Sequence, residues 1–234
     1  FNRHVGEALD LKSDLMIDNA SNITVGIENV DVFLPNKNKD ILIKDCTIDL
    51  MNYQSLLIMG ASGVGKSTLL RTLAGLWPYA KGNVYLPKEE EFLFLPQRPY
   101  LPLGSLRQAI SYPVVEEVIS EKYSDEEIKE ILIACKLENL ADKLDIVDDW
   151  SRILSLGEQQ RIAFVRILLY RPEFVFLDEA TSALDEDLEG NLYDMLKIHL
   201  PNTKIISIAH RSSLIAKHQA ILRLKEKGCW EIHE

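Results

Sequence analysis

Residues 60–68 read Gly60-Ala61-Ser62-Gly63-Val64-Gly65-Lys66-Ser67-Thr68, a match to the spacing G-x-x-x-x-G-K-[ST]. Residues 55–59 before it are almost wholly apolar, and residues 67–76 set Leu69, Leu70, Leu73 and Leu76 on one helical face, with Gly75 and Pro78 marking its end. A buried strand, a glycine-bearing turn and a helix start, in that order, are the setting in which this spacing carries chemistry. Glycines let successive backbone N–H groups turn toward a phosphate, and the helix start adds partial positive charge. Lys66 is then placed to reach the β- and γ-phosphates of a nucleotide, and the Ser67 hydroxyl to ligate Mg2+. Average residue usage yields the bare spacing by chance in on the order of one per cent of chains this long, so with the flanking elements nucleotide binding is the expectation.

Outward from the loop, three more short apolar runs, at 92–95, 174–177 and 205–208, each lead into polar or glycine-bearing residues, as strands buried on both faces of a parallel sheet do. The run at 174–177 delivers Asp178 and Glu179 to its C-terminal end, the edge at which open α/β sheets bind ligands. There Asp178 can hold the metal through water and Glu179 can orient and deprotonate an attacking water; alone, the pair would merely cap the next helix. Gln97 and His210 follow the runs at 92–95 and 205–208 and reach the same edge; each gains interest only by sharing it with Lys66 and Glu179. A second glycine-bearing helix start occurs at Leu154-Ser155-Leu156-Gly157-Glu158-Gln159-Gln160-Arg161, ahead of a helix that runs to Tyr170 with Ile162, Val165, Leu168 and Leu169 as its apolar positions. It lies at the far end of a helical section, out of reach of its own Lys66, and a second phosphate clamp so placed suggests a second copy of the chain.

The chain has 234 residues, 47% hydrophobic and 26% charged, enough to bury a real core. With 36 acidic against 26 basic residues the net charge is −10, so the basic footprint of a nucleic-acid binder is missing and no nucleic-acid partner is expected. Cys46, Cys135 and Cys229 are spaced without a C-x-x-C pair and read as reduced, buried thiols of a cytosol-like compartment. No run approaches the roughly 18 to 20 apolar residues of a membrane span. Residues 1–22 are polar and weakly periodic, begin with Phe1 and lack signal-peptide regions, which predicts a linker from an upstream domain. Residues 23–34, then 41–50 beyond Pro35 and the turn-forming Asn36-Lys37-Asn38, are β-rich, and 88–91 is a solvated turn. Ser124-Asp125-Glu126-Glu127 is a capping box before Ile128, Ile131 and Leu132, and residues 101–151 lack strand signals. The organisation predicted is an α/β core with a mostly parallel sheet and an antiparallel β subdomain over 23–100 and 152–234, with a helical insertion subdomain over 101–151.

In order and spacing these motifs resemble the nucleotide-binding domain of ATP-binding cassette (ABC) transporters, from about Ile23 to the C-terminus, which implies a P-loop NTPase (RecA-like) core. GASGVGKST looks like the Walker A motif, FVFLDE like Walker B, LSLGEQQR like the family signature and SALD, residues 182–185, like the D-loop; Gln97 and His210 look like the Q-loop glutamine and the switch histidine. The stretches GLWPYAKGNVYLP, FLFLPQRPYLPLGSLRQAISYP and HRSSL look like subfamily D, the peroxisomal fatty-acyl half-transporters, and their bacterial relatives.

The resemblance implies ATP and Mg2+ as cofactors and a head-to-tail dimer. ATP would be held by Gly60, Ala61, Ser62, Gly63, Val64, Gly65, Lys66, Ser67 and Thr68 of one copy and by Ser155, Gly157, Gln159 and Asp185 of the other. It assigns catalysis to Glu179, His210 and Gln97, the metal to Ser67, Gln97 and Asp178, and a membrane-domain contact to residues 97–106. Attached transmembrane domains and a place on the cytoplasmic face of a membrane follow. Leu156 stands where the family signature has glycine, Glu158 where it often has glutamine, and Leu34, beside Phe33, where many members stack an aromatic ring on adenine. Two rival readings are a soluble cassette of the DNA-repair or ribosomal type, which would bring long coiled-coil insertions or two cassettes per chain, and a nucleotide-binding regulatory module without turnover, against which Asp178-Glu179 argues.

Overall fold

Val30 and Val32, and Cys46 and Ile48, alternate with exposed or half-buried neighbours, and that period of two, with Ile43 rejoining the buried face across an irregularity at Lys44 and Asp45, lays two stretches down as strands with one face in the core. In a computed structural model the residues described are 15–18, 25–36, 40–88 and 91–234. In chain order their strands are β1 (Leu15–Asp18), β2 (Gly26–Phe33), β3 (Ile41–Asp49), β4 (Ser55–Gly60), β5 (Ala80–Tyr85), β6 (Phe92–Leu95), β7 (Gly104–Ser105), β8 (Val147–Asp148), β9 (Phe174–Asp178), β10 (Lys204–Ile208), β11 (Ala220–Leu224) and β12 (Trp230–His233). The α-helices are α1 (Lys66–Leu73), α2 (Leu106–Ser111), α3 (Glu116–Lys122), α4 (Asp125–Ala134), α5 (Trp150–Ile153), α6 (Leu156–Tyr170) and α7 (Glu186–His199). The fold is α/β, and contacts divide the chain into two units: residues up to Phe92 with Lys204–His210 and His218–Glu234, and Leu93–Thr203 with Arg211–Lys217.

In the first unit β2 pairs antiparallel with both β3 and β5, and β1 adds a parallel strand to the outer edge of β5. A second sheet runs β12-β11-β4-β10, with β4 parallel to β10 and β11, and β12 antiparallel to β11. Helix α1 buries Leu69, Leu70 and Leu73 completely.

In the second unit β9 lies beside β6, where Phe94 and Phe176 stack at 6.5 Å between centroids. Helix α6 is buried around nearly its whole circumference, with Phe164 edge-on to Tyr193 of α7. Side-chain capping boxes at Ser105–Gln108 and Ser124–Glu127 start α2 and α4.

Several expectations change. Leu15–Asp18, inside the expected linker, is a strand; residues 1–14 and 19–22 lie outside the described residues, as do Lys37, Asn38 and the middle of the 88–91 turn. The helix expected over 67–76 ends at Leu73, because Gly75 takes φ 70° and turns the chain, and Leu76 is left half exposed. The helical section contains one antiparallel bridge, Gly104 with Asp148 and Ser105 with Val147, too short to leave a period in the sequence. Cys46 and Cys135 are buried, and burial pushes both thiols up to about 12. Cys229, expected to be buried, is exposed, because it sits at the turn between β11 and β12. Among the described residues no helix is long and apolar enough to cross a membrane.

Candidate functional site

In the first unit, β4 is flanked on both sides: Ser55 to Ile58 pair with Ile205 to Ile208, and Leu56 to Gly60 with Ala220 to Leu224. Leu57 and Ile58 are therefore fully buried, and the strand reaches Gly60 without freedom to drift. An added Cβ at Gly60 would fall 2.6 Å from the Leu224 carbonyl oxygen, so only glycine fits there. Gly65 takes φ 106° as the N-cap of α1 and, being glycine, brings no capping side chain of its own to that helix start. Lys66 is 6% exposed and donates from Nζ to the carbonyl oxygens of Gly60 and Ala61, both at 3.0 Å. A pocket of about 260 Å3 lies beside residues 61–64, walled by Ile41, Leu42 and the turn at 225–228. His210 is exposed two residues beyond β10, the strand parallel and adjacent to β4, so it emerges at the same sheet edge as the loop.

Phe33 is half-buried; its N–H donates to Tyr79 O and its carbonyl accepts from Trp77 Nε1. Leu34 beside it is exposed.

In the second unit β9 is buried throughout and ends at Asp178, 4% exposed. Glu179 follows with φ 52°, in the left-handed region. A non-glycine residue there costs on the order of 1–2 kcal/mol and persists only where its surroundings enforce it. The enforcing contacts are present: Ser182 N donates to Glu179 O at 3.1 Å, and Gln97 Nε2 donates to Glu179 Oε2 at 3.0 Å and Ser182 Oγ at 3.3 Å. Behind them the wholly buried Gln160 of α6 donates to Gln97 O at 2.8 Å and Ser182 Oγ at 3.2 Å and accepts from Ala183 N at 2.9 Å. The fold thus brings together Gln97 and Glu179, 82 positions apart, and one amide holds both segments. Sequence reasoning missed Gln160. The signal was a polar residue inside a helix too apolar to expose it, which must be satisfied internally.

The second helix start is capped. Ser155 is the N-cap of α6: its hydroxyl accepts from Glu158 N and donates to Glu158 Oε2 at 2.7 Å, while Ser155 N donates to the same oxygen at 3.0 Å. Asn139 Nδ2 reaches Glu158 Oε1 at 3.3 Å. Burial pushes the Glu158 carboxyl up, but the hydrogen bonds from Ser155 and Asn139 and the nearby Arg161 outweigh it and hold it below its ordinary value. Gln159 is buried, its amide donating to Ser151 O at 2.9 Å and Leu154 O at 2.8 Å. Asp185 is the N-cap of α7 and accepts from Leu188 N at 2.8 Å.

Among the described residues no three His, Cys, Asp or Glu side chains gather as a metal nest. The donors expected for Mg2+, the Ser67 hydroxyl, the Gln97 amide oxygen and the Asp178 carboxylate, are hard oxygens. They fit an ion that is bound through one or two carboxylates, with phosphate and water completing its shell.

A protein-family profile for the ABC transporter matches residues 43–182, a span that contains Gly60 to Thr68, Gln97, the Ser155 helix start, Asp178 and Glu179. An uncharacterized ABC transporter ATP-binding protein of Haemophilus influenzae is 49% identical over 191 residues, 82% of this chain and 31% of the relative. ATP-binding cassette sub-family D member 1 of Drosophila melanogaster is 36% identical over 93% of this chain and 30% of its own length. The lysosomal cobalamin transporter ABCD4 of Homo sapiens is 39% identical over 88% and 35%. The chain spans about a third of the length of these curated relatives.

Proposed function

The chain belongs to the ABC transporter family, and we propose that it is the ATP-binding and ATP-hydrolysing cassette of a transporter, pairing head to tail with a second cassette around two Mg-ATP. On this reading it drives attached transmembrane domains from the cytoplasmic face of a membrane. The observation that carries hydrolysis is Glu179, held in left-handed backbone at the end of a buried strand with its carboxylate oriented by the Gln97 amide. That carboxylate orients an attacking water and accepts its proton. Lys66 gives up neutral carbonyl acceptors for charged phosphate oxygens, to which hydrogen bonds are roughly twice as strong. Ser67, Gln97 and Asp178 would hold Mg2+, which would supply neutralising charge at the phosphates. His210 and Gln97 report the γ-phosphate and the metal.

Two exposed apolar faces support the partners. Ile153 and Leu156 flank Ser155 and suit a second copy, whereas Tyr100, Leu103, Tyr112 and Val115 suit transmembrane domains. The latter face is stiffened from behind by the buried Arg166 of α6, which donates to Tyr100 O at 2.8 Å and Ala109 O at 2.6 Å and stands 5.3 Å from the Tyr112 ring centroid. Burial pushes Arg166 down to about 10.

Glu179→Gln tests the reading. Phosphate release should fall by about a hundred- to ten-thousand-fold, the usual contribution of a general base, while ATP still binds. Undiminished release would refute the assignment.

A further inference from the structure

Three side chains near Glu179 have no part in the chemistry above, and two of them are charged. Glu189, in the first turn of α7, has a side chain only 2% exposed. One of its oxygens accepts from the hydroxyl of Thr181, itself buried, and Oε2 accepts from Arg211 Nη1 at 3.2 Å. Arg211 Nη2 donates to the Leu184 carbonyl at 2.6 Å. A carboxylate this deeply buried is tolerated only when paired and hydrogen-bonded, and here all its partners bear on the turn over residues 181–184. The turn's own bonds are local: Leu184 N donates to Thr181 O at 3.0 Å and Ser182 N to Glu179 O. Gln160 and Gln97 grip it at Ser182 and Ala183, and Glu189 with Arg211 grips it at Thr181 and Leu184. Arg211 also directly follows His210 in the chain.

We infer that Glu189, Arg211 and Thr181 are positioning residues for hydrolysis: they clamp the turn that follows Glu179 so that its carboxylate stays aimed at the attacking water. The inference rests on the proposed ATPase activity. Its physical basis is that misplacing a reacting group by about 1 Å can cost on the order of a hundredfold in rate, whereas nucleotide binding at Gly60 to Thr68 does not draw on this clamp.

The test uses the full-length protein. Arg211→Met is expected to lower kcat for ATP roughly ten- to a hundredfold, with KM for ATP little changed. Thr181→Val, which keeps the side-chain shape and removes the donor to Glu189, should move kcat in the same direction, and Thr181→Ser should restore most of it. Wild-type kcat in Thr181→Val, or a KM that rises in step with the fall in kcat, overturns the assignment even if Arg211→Met fails to fold. Glu179→Gln, assayed alongside, separates the two claims. If the wild type releases no phosphate from ATP, the ATPase reading fails; if Glu179→Gln retains turnover, the base assignment fails; and if it collapses while the clamp variants keep wild-type kcat, only the clamp fails.

Discussion

The starts of α1 and α6 read alike in the sequence, each a glycine-bearing turn entering an apolar helix, yet they are built oppositely. At α1 the N-cap is Gly65, no side chain caps the helix, and a buried ammonium leans back over the turn. At α6 the N-cap is Ser155, a carboxylate closes the first turn, and the glycine has been displaced inward to Gly157. The first start is anion-receptive by default. The second brings its own negative charge, so a phosphate from another copy would meet Glu158 already bonded to Ser155, and it would have to draw donors away from that carboxylate. A glycine before a helix is therefore not enough to identify a phosphate site; what the capping position holds decides it.

The largest test of this contrast is Lys66→Met. It removes charge-assisted hydrogen bonds of about 1.5–3 kcal/mol, so ATP affinity measured by calorimetry should weaken about ten- to a hundredfold. Affinity unchanged in that variant would erase the distinction. Ser155→Ala comes next: losing the N-cap should lower stability in urea by about 1 kcal/mol, with no effect on nucleotide affinity of the isolated copy.

The smallest effect is expected for Glu158→Gln, since glutamine also closes a capping box. At neutral pH the variant should lose about 0.3–1 kcal/mol of favourable charge at the helix start. The carboxyl of Glu158 is held below its ordinary 4.5 in the folded chain, so its contribution is present above that value and is lost as pH falls through the lower folded one. Paired unfolding curves at pH 7 and at successively lower pH below 4.5 should show the gap between the two proteins closing. A gap independent of pH would mean that the charge does not close the turn.

The first helix start was legible because its constraints are local: strand, turn, lysine and helix all fall between Ser55 and Leu73. Asp178 and Glu179 were legible for the same reason, as the end of a run too apolar to be anything but a buried strand. Gln97 and His210 could be placed at strand ends, but only long-range pairing shows that Gln97 meets Glu179 directly. Gln160 was legible only through the apolar helix around it, and Glu189 and Arg211 were not, since a charged residue looks the same in the sequence whether it faces water or a buried partner. Ser155 and Asp185, expected to bear on nucleotide, also serve as caps of their own helices, a role any helix start of that composition can take. The four-residue β1 and the two-residue bridge between β7 and β8 escaped because they are too short to show a period.

The close approach of Gly60 to Leu224 makes the last strands a structural wall of the nucleotide loop. Shortening the protein from its C-terminal side past Leu224 would strip β4 of one neighbour and loosen the loop before any loop residue had been altered. Expression variants trimmed for crystallisation should therefore keep the β11–β12 hairpin intact, and fusion partners belong beyond it.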